Sequence, residues 1–213
     1  MGAGHGDDVL KLEVDAAAAR VSIRPVLPDG NSREIDVNLT IKIPEKASRV
    51  SAGAVSASID VRGVKRRVDV GTVSGPINVD GDLEEAEIAT VSGEINSRGK
   101  RSELEVASVS GNLTLSGDAD DASLANVSGN IHFTGRPRSL EISSVSGNVR
   151  LVLPGDIRAD FEISTFTGRI SDAFGHKPKK KSFVGGSELE FSTGSKGDIE
   201  ISSVSGNVRI EKQ

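Results

Sequence analysis

Apolar residues along this chain fall into pairs separated by one polar position. The pairs are Val68 and Val70, Ala86 and Ile88, Leu104 and Val106, Ala122 and Leu124, Leu140 and Ile142, Phe161 and Ile163, and Ile199 and Ile201. Between their members sit Asp69, Glu87, Glu105, Ser123, Glu141, Glu162 and Glu200. A period of two predicts half-buried strands with these polar residues facing outward. A second apolar column runs through Ile59, Ile77, Ile95, Leu113, Ile131, Val149, Ile170 and Val208. Two residues beyond it lies a third, Val61, Val79, Leu115, Phe133, Leu151 and Ile210, interrupted by Ser97 and Asp172.

Between the two strand signals stands Val-Ser-Gly, with its Val at 73, 91, 109, 127 and 145, each 18 residues after the last. A degenerate copy begins at Val55, and Phe166 and Val204 continue the series after insertions. Glycines at 63, 81, 99, 117 and 135 mark a turn at the end of the coil. The inward parity before the Ser/Thr-Val junction differs from the parity after it, so a corner or bulge is expected there. Fixed self-similarity of this kind is the signature of a solenoid. The expected fold is all-β, a single-stranded parallel β-helix or β-solenoid with 18-residue coils, like stacked on like at about 4.8 Å. A lone coil buries too little to order itself, so stability depends on neighbouring coils and on caps.

One domain is expected overall. Residues 1–8 read as a flexible N-terminus. Residues 9–50 read as capping strands, from the alternation in VLKLEV, RVSI and EIDVNLTIKI before Pro44. Residues 51–213 carry the solenoid repeats, with an excursion at about 173–194 that includes the basic stretch HKPKKK.

Composition narrows the function. Twenty-six basic against 31 acidic residues give a net charge of −5, which disfavours nucleic acid as a partner. Six Phe and no Trp or Tyr leave few platforms for stacking bases or sugars. The absence of Cys excludes disulfides and thiolate metal sites without indicating a compartment. The first twenty residues contain no apolar core of a signal peptide, and no stretch has the length of a transmembrane segment.

Tandem VSG motifs followed by Asn, Glu or Pro and an aliphatic residue, the LEISS-type strands before them and the IPEKAS segment together carry a family likeness. Over roughly residues 8–213 the chain resembles the bacterial DUF4097 family of adhesin-like proteins, related to the toastrack modules of envelope-stress proteins. The resemblance implies a β-helical fold, right-handed as general β chirality also suggests. It further implies a cell-envelope location, in the periplasm or at the surface, and it supplies no catalytic residues.

Candidate chemistry is sparse. Asn112, Asn130 and Asn148, with Asn207, recur at one point of the coil and are expected to form an amide ladder, either a polar recognition strip or a satisfied corner. Lys177, Lys179, Lys180 and Lys181, with Phe183 beside them, are the candidate contact for anionic lipid or an acidic polymer. The period is twice nine, as in calcium-binding nonapeptide rolls, but no Asp column exists, and Asp118, Asp120 and Asp121 read as a solvated turn. His5, His132 and His176 are too scattered for a metal or a catalytic triad, and no base accompanies the stacked Ser residues. No catalytic, cofactor or metal site is therefore expected. The expected function is a non-enzymatic binding scaffold for a protein or envelope component. The alternatives are a structural protein that self-assembles into a homo-oligomer through its solenoid ends and, less favoured, a polysaccharide-active β-helix enzyme.

Overall fold

The computed structural model describes residues 11–17, 20–26, 47, 49–180, 186–194 and 196–213. The expected flexible residues 1–8, and Lys181 and Phe183, lie outside the described residues. The chain divides into two compact units, Met1–Thr40 and Ile41–Gln213. Within the first, strands Lys11–Ala17 and Arg20–Val26 form an antiparallel pair.

The second unit is a β-solenoid. Each coil contributes one long and one short strand. In chain order the coils are Arg49–Ala54 with Ile59–Arg62, Arg67–Thr72 with Ile77–Asp80, Leu83–Thr90 with Ile95–Arg98, Arg101–Ser108 with Leu113–Ser116, Ala119–Ser128 with Ile131–Thr134, Pro137–Ser146 with Val149–Leu153, Asp160–Thr167 with Ile170–Asp172, and Asp198–Ser205 with Val208–Lys212. The long strands stack into one sheet and the short strands into another, and within each sheet the coils run parallel, in the register expected from the 18-residue period. The inward columns read from the sequence form one continuous core, in which Ile77, Ile95, Leu113 and Ile131 are at most 1 % exposed.

The coils do not stack in chain order. The first six follow one another, but the eighth lies between the sixth and the seventh in both sheets. Residues 154–159 therefore carry the chain past a vacant position, and the C-terminal coil returns to fill it. At this point Gly197 approaches Arg138 so closely that a Cβ would meet its carbonyl oxygen at 2.1 Å. Beyond the seventh coil the long sheet ends in antiparallel strands, Ser187–Ser192 and then Lys179–Lys180.

The corner falls one step later than the parity argument placed it. The residue before the Val still points inward: Thr72, Thr90 and Ser108 are buried, and their hydroxyls accept the backbone N–H of Gly75, Gly93 and Gly111 at 3.1, 2.8 and 2.9 Å. The chain turns at the Ser-Gly step. Glycine is needed there because a Cβ on Gly111 would stand 1.8 Å from the Gly93 carbonyl oxygen in the coil below. The Val consequently continues the outward parity of the long strand, and the motif's most regular apolar residue faces solvent.

Ser97, which interrupts the third apolar column, is buried together with Arg101. The Arg101 guanidinium donates to Ser97 Oγ at 3.0 Å and to the carbonyls of Arg98 and Lys100, both at 2.9 Å. Burial pushes this guanidinium below its ordinary pKa, opposed by the nearby Asp82 and Asp80 carboxylates. The polar break in the column thus accommodates a neighbouring cation rather than a void.

Candidate functional surfaces

The asparagines meet as a ladder. Asn130 Nδ2 donates to Asn112 Oδ1 and Asn148 Nδ2 to Asn130 Oδ1, each at 3.3 Å. Asn207 Nδ2 continues it, donating to Asn148 Oδ1 at 3.2 Å, across the step where the eighth coil is inserted. Each oxygen also accepts the backbone N–H of the next Asn, at 2.9, 3.1 and 3.2 Å, so the amides satisfy the corner from coil to coil. A second run on the outer face of the short sheet was not singled out in the sequence: Asn96 Nδ2 donates to Asn78 Oδ1 and Asn78 Nδ2 to Asp60 Oδ1. The 18-residue spacing of Asn78 and Asn96 carried that signal.

The lysines sit elsewhere. Lys177, Lys179 and Lys180 are exposed at the seventh-coil end, where Lys179 pairs in register with Glu188 and Lys180 with Ser187. Beside them the excursion packs an aromatic cap. Phe161 and Phe191 stack at 4.3 Å between ring centroids, Phe174 lies 6.0 Å from Phe161, and His176 stacks on Phe191 at 4.0 Å. Asp172 accepts the backbone N–H groups of Phe174 and His176, both at 2.9 Å, and lies 3.1 Å from His176 Nδ1. The second interruption of the apolar column is thereby explained: Asp172 holds the turn that closes the end of the stack. His132 is half-buried on the outer face of the short sheet, 3.1 Å from Thr134 Oγ1 and remote from His176 in its coil position.

The outer face of the long sheet is divided lengthwise. Nearer the start of its strands, Glu103 pairs in register with Asp121, and in the adjacent column Glu87 pairs with Glu105, Glu141 with Glu200 and Glu200 with Glu162. Cations meet these columns at the first-coil end, where Arg67 bridges Glu85 and Glu87 and Arg49 bonds Asp69 at 2.6 Å. Nearer the corner the face becomes uncharged: Gly71, Ala89, Ala107, Ala125, Ser143 and Ser202, and then the motif residues themselves. Val73, Val91, Val109, Val127 and Val145 are 46–47 % exposed, Phe166 50 % and Val204 51 %.

On the other side of the coil a groove follows the turn glycines, lined by alternating charges. Asp82 Oδ1 accepts the Lys100 N–H at 2.8 Å, Asp118 Oδ1 accepts the Arg136 N–H at 3.0 Å, and Arg136 donates to Asp156 at 2.6 Å. That bond holds the Asp156 carboxyl below its usual range. Among the described residues no three His, Asp or Glu side chains gather as a metal site. Among the described residues no helix is long and apolar enough to cross a membrane.

A family model described as Toastrack DUF4097 matches residues 11–211. No curated protein matches the chain, and no solved structure matches it.

Proposed function

The chain belongs to the Toastrack DUF4097 family, a solenoid family of unassigned function, and from that membership we propose that it is a non-enzymatic scaffold of the cell envelope. In this reading it is adhesin-like and holds a protein or an envelope component on its outer surfaces. The observation that carries the reading is the fixed outer face of the long sheet, where Glu105, Glu141 and Glu200 occupy one column on a rigid backbone. Carboxylates spaced by the strand repeat, about 4.8 Å per coil, suit a partner that presents repeated cationic groups. Backbone order is supplied by the stack in advance, so binding costs only the ordering of the exposed side chains.

Self-assembly through the solenoid ends is the second reading. The seventh-coil end counters it: among the described residues the edge strand there is Lys179–Lys180, cationic and antiparallel to its neighbour. Short, cationic edge strands resist addition of another strand.

The test is fractionation of cells expressing the full-length gene product, followed by binding of the purified chain to isolated envelopes. The scaffold reading expects the protein in the envelope fraction and saturable, salt-sensitive binding. A Glu105→Gln/Glu141→Gln variant should weaken that binding if the acidic face is the contact. A Lys177→Ala/Lys179→Ala/Lys180→Ala/Lys181→Ala variant would weaken it if the basic end is. A protein confined to the soluble interior, with no envelope binding, would contradict the proposal.

A further inference from the structure

The Val column is the most regular feature of the sequence and the one apolar column the core does not use. Its residues lie one per coil along a straight line, in the spatial order Val55, Val73, Val91, Val109, Val127, Val145, Val204 and Phe166. No charged residue occurs within two positions of any of them along the chain. The strip is about 34 Å long at the strand repeat of about 4.8 Å. A specific interface between two copies must bury about 1,000 Å² in total, about 500 Å² from each, which requires the strip together with its flanking small residues.

A partner touching every Val must itself repeat every 4.8 Å or so along a straight line. An α-helix, with a pitch of about 5.4 Å on a curved surface, falls out of step within a few coils. An anionic membrane surface would have to approach the carboxylate columns that share the face. A second copy of this solenoid has the matching repeat. We propose that two copies pair side by side, Val column against Val column, with the two-fold axis parallel to the solenoid axis.

Charge selects that orientation. Two copies running the same way place each acidic column, represented by Glu105 and Glu141, over the other's corner, which is mostly uncharged, with Ser110, Asn112, Asn130, Asn148 and Asn207, and carries Glu94 and Arg169 at single coils. Two copies running oppositely place acidic column on acidic column, and like charges brought together across an interface cost several kcal/mol. The contact is isologous, so it closes as a dimer. It covers the acidic columns of the same face, so a second copy and a cationic partner compete for that face; its test uses the purified chain alone and is separate from the fractionation above.

The chain contains no Cys, so one introduced thiol reports without background. Val73 lies in the second coil from one end of the stack and Val204 in the second from the other. Under mild oxidation Val73→Cys alone should give a disulfide-linked dimer on a non-reducing gel, because Val73 meets its own counterpart. Sedimentation of the wild-type chain between about 1 and 100 µM should show a dimer. Val91→Lys/Val127→Lys should remain monomeric with an unchanged far-UV spectrum, while Asn96→Lys/His132→Lys on the other sheet still dimerises. Should the first lysine variant fail to fold, the cysteine result decides alone. A wild-type monomer throughout that range without cross-linking, or a dimer untouched by Val91→Lys/Val127→Lys, would overturn the pairing. Cross-linking only when Val73→Cys is mixed with Val204→Cys would overturn it by placing the copies in opposite directions.

Discussion

Thr90 and Ser203 occupy the same inward column, and the structure gives them opposite roles. The Thr90 hydroxyl accepts the Gly93 N–H at 2.8 Å, whereas Ser203 Oγ, like Ser144 Oγ, is buried with no hydrogen-bond partner. An unpaired buried hydroxyl costs free energy, while a paired one relieves a backbone donor. Thr90→Val should destabilise by about 1–3 kcal/mol, and Ser203→Ala should stabilise by about 0.5–1 kcal/mol, both read by denaturant unfolding. Equal signs for the two substitutions would contradict the assignment. Arg101 offers a sharper contrast. Arg101→Ala leaves Ser97 and several carbonyls without their donor and should cost about 3 kcal/mol, whereas Ser97→Val/Arg101→Leu should stay within about 1 kcal/mol of wild type, as expected when a buried charge is replaced by matched apolar groups. The sequence showed Ser97 as a break in an apolar column. It gave no sign of Arg101, because an inward Arg at a coil turn has the same spacing as an outward one.

The two-strand coil, its 18-residue register and its inward columns were legible because each depends on local periodicity that stacking only repeats. The direction of the motif Val was less so. Apolar character suggested core, yet Asp69, Gly71 and Val73 share a parity with the outward Asp, and that parity decided the matter. The insertion of the eighth coil was not read at all, since periodicity orders coils along the chain and says nothing of a skipped position. A trace of it exists in the residues: LEISSVSGNVRL at 140–151 and IEISSVSGNVRI at 199–210 are near copies, and they are neighbours in space. The seventh coil diverges, with Phe166, Arg169 and Asp172 where the others carry Val, then Ser, Pro, Glu or Asn, and then mostly aliphatic residues. Deleting residues 195–213 should leave the sixth and seventh coils with unmatched strand edges. Thermal unfolding should then become less cooperative and fall by on the order of 10 °C or more, with dye binding to exposed core. An unchanged melting curve would count against the insertion. The eighth coil is also tied to the sixth by Arg150, which donates to Glu211 at 2.7 and 3.1 Å and holds that carboxyl below its usual range. A carboxylate with a lowered pKa in the fold adds stability that is complete above the ordinary glutamate range and lost as pH falls through the lowered value. Glu211→Gln should therefore reduce stability at neutral pH and flatten its acid dependence below the glutamate range.

At the scale of the whole stack, the arrangement places the last coil in chain order inside the stack rather than at its edge. Coils contact only their neighbours, so a terminal coil opens first and an internal one opens with the rest. The seventh coil, closed by the aromatic cap and the lysine edge strand, takes the terminal place instead. A rigid stack closed in this way keeps its outer columns in register, which is the property the scaffold reading and the lateral pairing both require. Amide hydrogen exchange tests it directly, residue by residue. Residues 199–203 and 208–210 should exchange as slowly as residues 140–144 and 149–151 in the sixth coil, and more slowly than residues 187–192. Rapid exchange across 198–212, at the rate of a fraying terminus, would contradict the inserted coil and the closed stack built on it.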